Sequence, residues 1–148
     1  MKKMTTEIAS NMLNNGFHCS QCVMSHGAHL VNIDEDVAKK LSAGLGGGCF
    51  KGSVCGCVTA AIITLGFEYG FCKENSIEQD EILINKVHEF ENKFIEKHGS
   101  IVCKDLLGGY NQSIPEEKQI IIEKGLFANC SKYSTTACDI LDEMFEKK

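Results

Sequence analysis

The stretch from Val54 to Phe71 most constrains the fold: it is apolar around most of a helical circumference, and it follows a segment, Gly44 to Gly52, in which five of nine residues are glycine. So long a run without alternation exceeds a typical strand and reads as a central buried helix. Glycine carries a high entropic cost in regular structure, so the segment before it reads as a tight loop. Helical spacing recurs elsewhere. Ile8, Met12 and Leu13 mark a helix from about Thr5 to Asn15, stopped by Gly16. A second starts near Cys19 and continues through Ala28 and Val31. Asp34 is placed to cap a third, with Val37 and Leu41 on its apolar face and Gly44 at its end.

In the second half, Ser76 with Gln79 predicts a capping box ahead of Ile82, Leu83, Val87, Phe90, Phe94 and Ile95, which repeat at three- and four-residue spacing. Ser100 is placed to cap a short helix through Cys103 and Leu107 that Gly108-Gly109 closes. Pro115 to Glu123 forms another helix, proline suiting its first turn. Ser134 or Thr135 then opens a C-terminal helix with Ala137, Ile140, Leu141, Met144 and Phe145 on one face. The expectation is an all-α fold: residues 1–148 as one compact helical bundle, with the glycine-rich loop before its most buried helix.

Several function classes are disfavoured. The net charge is -5, with the lysines and arginines dispersed, which argues against nucleic acid and acidic membranes. The longest apolar stretch, Val58 to Phe67, is about half the roughly 20 residues that cross a bilayer. Glu7, Ser10, Asn11, Asn14 and Asn15 stand where a signal peptide needs about 7 to 15 apolar residues, so the chain is expected to be cytoplasmic. The Gly44–Gly52 segment lacks the lysine and hydroxyl residue of a phosphate loop and does not match a dinucleotide fingerprint, so no nucleotide is expected.

Nine cysteines, an odd number, cannot all pair within one molecule, and in a cytosolic chain they point to metal or redox chemistry. Cys19, Cys55, Cys103 and Cys130 fall close to predicted helix starts. Unpaired amides and about half a positive charge there favour thiolate, which predicts lowered pKa values and either nucleophiles or metal ligands. Cys19-Ser20-Gln21-Cys22 forms a CxxC pair, and Cys55-Gly56-Cys57 sets two thiols two residues apart. Val23 follows Cys22 where covalent haem attachment needs histidine, so no covalent haem is expected. His18 adjoins Cys19 and could tune it or ligate metal, though an exposed loop histidine is the simpler reading. His26 and His29 form a weak metal pair. Cys72 lies at a helix end, and Cys138 inside the last helix reads as a small buried hydrophobe.

These residues resemble the redox-active family named for its C_GCAxxG_C_C pattern, over nearly the whole chain. The first cysteine matches His18-Cys19-Ser20-Gln21, the glycine segment matches Gly44-Leu45-Gly46-Gly47-Gly48, and a CGAxxG-like box matches Cys55-Gly56-Cys57-Val58-Thr59-Ala60. Cys103, ahead of Asp105-Leu106-Leu107-Gly108, and Cys130 complete the set. The box departs from the pattern at Cys57 and Ala60, and Cys22, Cys49, Cys57, Cys72 and Cys138 are extras by this comparison. The family is similar in turn to the cluster-bearing part of split-Soret cytochrome c, a dimeric protein. That resemblance implies an iron-sulfur centre and a homodimer.

Three functions follow as expectations. The first is electron transfer or redox sensing through an iron-sulfur cluster on Cys19, Cys55, Cys103 and Cys130, with Cys22, Cys49 and Cys57 as further candidate ligands and a separate redox partner protein. The second is a metal-free thiol-disulfide oxidoreductase using Cys19/Cys22 and Cys55/Cys57, with Cys19 or Cys55 as the attacking catalytic thiol. The third is a zinc or other metal-binding module.

Overall fold

A computed structural model describes residues 3–148, and the described chain is an all-α bundle. Its helices are α1 (Thr6–Asn14), α2 (Cys19–Val31), α3 (Glu35–Ser42), α4 (Gly56–Tyr69), α5 (Ile77–His98), α6 (Cys103–Leu106), α7 (Pro115–Glu123) and α8 (Cys130–Glu146). The glycine-rich segment precedes α4 as the sequence predicts. It folds as a 3-10 turn over Ala43–Leu45 and a single wide turn over Gly48–Gly52.

The Asp34 cap forms as expected, and Thr5 supplies a second that the sequence reading did not name. The Thr5 hydroxyl accepts from the Ile8 amide at 3.2 Å, and Asp34 Oδ1 accepts from the Val37 amide at 2.9 Å. Four helix starts differ from the sequence reading. Ser100 does not cap α6, whose cap residue is Val102; its hydroxyl accepts instead from the Val102 amide at 3.0 Å. The Ser76 hydroxyl donates to Lys73 O and Gln79 Nε2 donates to Tyr69 O at 2.6 Å, so this pair ties α5 to the end of α4 instead of forming a capping box. The C-terminal helix begins at Cys130, not at Ser134 or Thr135. Gly125, at φ 67°, turns the chain, and a 3-10 turn over Leu126–Asn129 runs directly into α8. Ser134 and Thr135 lie inside the helix with their hydroxyls bonded back to the carbonyls of Cys130 and Ser131.

The central helix starts at Gly56 and not at Val54, because Val54 pairs with Val102 in an isolated antiparallel bridge. The Cys55 amide donates to Ile101 O and the Cys103 amide donates to Ser53 O, each at 2.7 Å. No alternating pattern announces a bridge this short.

Helices α2 and α4 cross at the centre of the main core. A Cβ on Gly27 would lie 2.2 Å from Thr64 Oγ1, so glycine is what permits this approach. Val23, Met24 and Ala28 of α2 meet Val58, Ala61 and Leu65 of α4, all fully buried. Eight of the thirteen residues of α2 are buried and seven of the fourteen of α4, so α2, which α8 also covers, and not α4 as the sequence predicts, is the more buried of the two. From α5, Phe90 and Phe94 are fully buried, each burial stabilising by about 1.5–3 kcal/mol.

A smaller apolar cluster of Cys103, Leu107 and Ile121, with Tyr110, Leu126, Phe127 and Cys130 against it, stands beside the main core. The Tyr133 hydroxyl donates to Leu106 O at 2.9 Å and joins α8 to α6. No helix among the described residues is long and apolar enough to cross a membrane.

Candidate metal and thiol site

Cys19 and Cys130 are the first residues of α2 and α8, Cys103 is the first of α6, and Cys55 caps α4. All four, together with Cys57, line one cavity of about 20 Å³, with Gly47, Leu106, Leu107, Gln112 and Tyr133 as its remaining walls. That volume holds about one water molecule.

Local structure explains the convergence. The Val54–Val102 bridge brings the start of α4 beside the start of α6. At Gly56, a Cβ would lie 2.9 Å from Leu45 O and 3.0 Å from both Cys19 Sγ and Ser20 Cβ, so the missing side chain lets the starts of α2 and α4 touch. The first turn of α2 is held in turn. The Ser20 hydroxyl donates to Ser42 O at 2.7 Å, and Gln21 accepts from the His18 amide at 2.9 Å while donating to Lys39 O at 3.2 Å.

The sulfur atoms of Cys19, Cys55 and Cys57 lie within 4.8 Å of one another. A tetrahedral thiolate shell with metal–sulfur bonds of about 2.3 Å has sulfur–sulfur edges of roughly 3.8 Å, so little contraction would close these three on one ion. The Cys57 sulfur also lies 3.4 Å from Ser134 Oγ.

The charge distribution is uneven, and it corrects the expectation of lowered pKa values at every helix start. Only Cys19 is held well below the ordinary thiol value. The Cys55 thiol hydrogen-bonds to it most strongly, then Cys57, with the backbone of Gly47 and Ser20 adding against the cost of burial. The Cys55 thiol is pushed well above the ordinary value, first by its hydrogen bond to Cys19, and Cys57 likewise, first by burial. Burial raises Cys103 to about 11 and also pushes Cys130 up. Desolvation outweighs the helix-terminus field at these positions, and the charge on Cys19 opposes a second one nearby.

The other candidates lie elsewhere. Cys22 is fully buried, with its thiol 4.0 Å from Ala9 O, and its pKa rises to about 12 through burial. It does not line the cavity. Cys49 is exposed on the wide turn, Cys72 is exposed between α4 and α5, and Cys138 is buried in α8 as its position predicts. The His18 ring stacks edge-on against Phe50 at 5.3 Å and supports Gly46. His26 contacts Asp142 at 2.6 Å while His29 contacts Glu35 at 3.4 Å, so the two do not converge on a shared metal.

Cys57 is the residue whose place the sequence reading understated. Its signal was present: a residue two beyond a helix cap stays in the first turn, beside the cap's own thiol. Gly47 and Gln112 carried no such signal.

Residues 17–144 match the family model described as "Putative redox-active protein (C_GCAxxG_C_C)". No curated protein and no solved structure matches the chain.

Proposed function

The chain belongs to the C_GCAxxG_C_C redox-active family, and from that premise we propose that it is an electron-transfer or redox-sensing protein whose Cys19, Cys55, Cys103 and Cys130 hold an iron-sulfur centre, with Cys57 in the same shell. The supporting observation is that five thiols from four helix starts line one cavity whose walls include no histidine or carboxylate. An all-sulfur donor set fits soft metals and iron-sulfur centres. Such a centre would supply one-electron chemistry. The chain's part is to hold the thiolates, direct helix-start amides at their charge, and exclude water with Leu106, Leu107 and Tyr133. Protein purified without oxygen should carry iron and acid-labile sulfide and show visible charge-transfer bands. Colourless protein without either would remove the proposal.

One observation favours a second reading, a thiol-disulfide oxidoreductase: a single charged thiol, Cys19, with two neutral thiols donating to it. In that chemistry the Cys19 thiolate attacks a partner disulfide and releases one partner thiolate. Cys55 or Cys57 then displaces the second partner thiol, leaving an intramolecular disulfide and a partner reduced by two electrons. Recovery of a Cys19–Cys55 or Cys19–Cys57 disulfide from metal-free protein would select it, whereas tightly bound zinc alone would select a metal-binding module.

The same proposal takes the protein as a cytoplasmic homodimer served by a separate redox partner. Phe67, Phe71 and Ile77, exposed around the α4–α5 corner, support the dimer. Light scattering that returns a monomer at high micromolar concentration would remove it.

A further inference from the structure

The loop between α6 and α7 grips the glycine-rich segment at both ends of its wide turn. A Cβ on Gly47 would lie 2.8 Å from Gln112 Cδ, and one on Gly52 would lie 3.2 Å from Asn111 Cγ. Gln112 Nε2 also donates to Cys103 Sγ at 3.7 Å, and both Gly47 and Gln112 form cavity walls. Asn111 is itself fixed, because its Oδ1 accepts from both the amide and the hydroxyl of Ser113, at 2.9 and 2.7 Å.

The gripped segment is strained. Cys49 and Phe50 both sit at φ 57° in the left-handed region, where a side chain is costly, flanked by Gly47, Gly48 and Gly52 at φ 62°, 62° and 73°. Residues held in such conformations persist where their surroundings over-determine them, and they are frequent in clamps and switches. On its other side the segment rests on His18, whose ring meets Phe50 and lies 2.6 Å from a Cβ built on Gly46.

We infer that Gln112 is the latch of the cysteine cavity: it bears on Gly47 and bonds the Cys103 sulfur, so the Gly46–Gly52 segment stays closed over the thiols until the 111–112 turn releases it. The inference rests on the cavity proposed above as the working site, but it concerns access and holds whichever metal or disulfide chemistry operates there. Since the closed cavity accommodates about one water molecule, any larger guest requires this opening. Gln112 is a positioning residue.

The test is residue-by-residue alkylation of the reduced, metal-free full-length protein by iodoacetamide, followed by peptide mass spectrometry. Gln112→Ala should speed modification of Cys55 and Cys103 by roughly fivefold, the population shift produced by losing one net hydrogen bond. Gln112→Leu, which keeps bulk against Gly47 but cannot donate, should fall between Gln112→Ala and the parent. Gly47→Ala, which forces Gln112 away, should reproduce Gln112→Ala. Exposed Cys72 should be unchanged, and buried Cys138 reports global unfolding. Parental rates at Cys55 and Cys103 in both Gln112→Ala and Gly47→Ala would overturn the latch. Equal acceleration of Cys138 in all three variants would overturn it too, since the loop would then be part of general stability. Iron loading does not enter this readout, so failure of the iron-sulfur proposal leaves the result interpretable.

Discussion

Val54 and Val102 pair in a single antiparallel bridge between otherwise helical segments, and the residues that follow them, Cys55 and Cys103, both reach the cavity. The amides of those two cysteines complete the bridge at 2.7 Å each. Both should therefore be protected from hydrogen exchange well beyond ordinary loop amides. Exchange of either at the rate of the exposed 72–75 turn would contradict this account of how the cysteines are brought together.

Glycines at two close approaches should be irreplaceable, while a third should not. Gly27→Ala and Gly56→Ala each insert a methyl group against atoms 3.0 Å away or closer. Overpacking of this kind costs about 1–3 kcal/mol, and Gly56→Ala should also disturb the thiol cluster. Nothing lies within 4 Å of a Cβ on Gly66, inside α4, so Gly66→Ala should stabilise by about 0.5–1 kcal/mol. Denaturant titrations of the three variants check the ranking.

Much of the fold was legible because helical periodicity, Asp34 as a cap, and glycine stops all act within a few residues. The sites where reading failed depend on longer-range partners. Ser76 and Gln79 carry the residues of a capping box, yet Ser76 found the carbonyl of Lys73 in the α4–α5 connection and Gln79 that of Tyr69 at the end of α4. Cys130 starts α8 because the 3-10 turn before it continues the helix, and Ser134 is free to bond backward once inside. The four helix-start cysteines were visible as a set. Their electrostatics were not, since whether a thiol is lowered or raised depends on which neighbour already carries the charge, and sequence spacing does not reveal that Cys19 receives bonds from Cys55 and Cys57.

Stability of the reduced, metal-free protein should fall in alkali. Thiols whose folded pKa is raised contribute stability that is fully present below their unfolded value near 8.5 and is lost as pH rises through the folded value. For Cys103 and Cys22 that loss extends to about 11 and about 12. Cys19 has the opposite sign: its contribution is present above the unfolded value and is lost as pH falls through its lowered folded value. Melting temperatures from pH 7 to 10.5 should decline above about 8.5, where the raised thiols outnumber it. A flat or rising profile would contradict the burial assigned to these thiols.

Cys22 and Cys138 are fully buried but stand outside the cavity. Replacing either with alanine should cost about 1 kcal/mol of stability through lost packing and leave metal content at the parental level. A metal content cut by half or more in Cys22→Ala would instead restore the CxxC pair as the working site.

The most direct measurement is iron and acid-labile sulfide per protein in single serine variants of Cys19, Cys55, Cys57, Cys103 and Cys130, reconstituted without oxygen beside Cys72→Ser. A shell that loses a ligand loses affinity, so each variant at Cys19, Cys55, Cys103 and Cys130 should retain a minor fraction of parental iron and sulfide. Cys57→Ser should fall between those variants and the parent, and Cys72→Ser should match the parent. Full iron and sulfide in Cys103→Ser and Cys130→Ser would contradict a centre built from the converging helix starts.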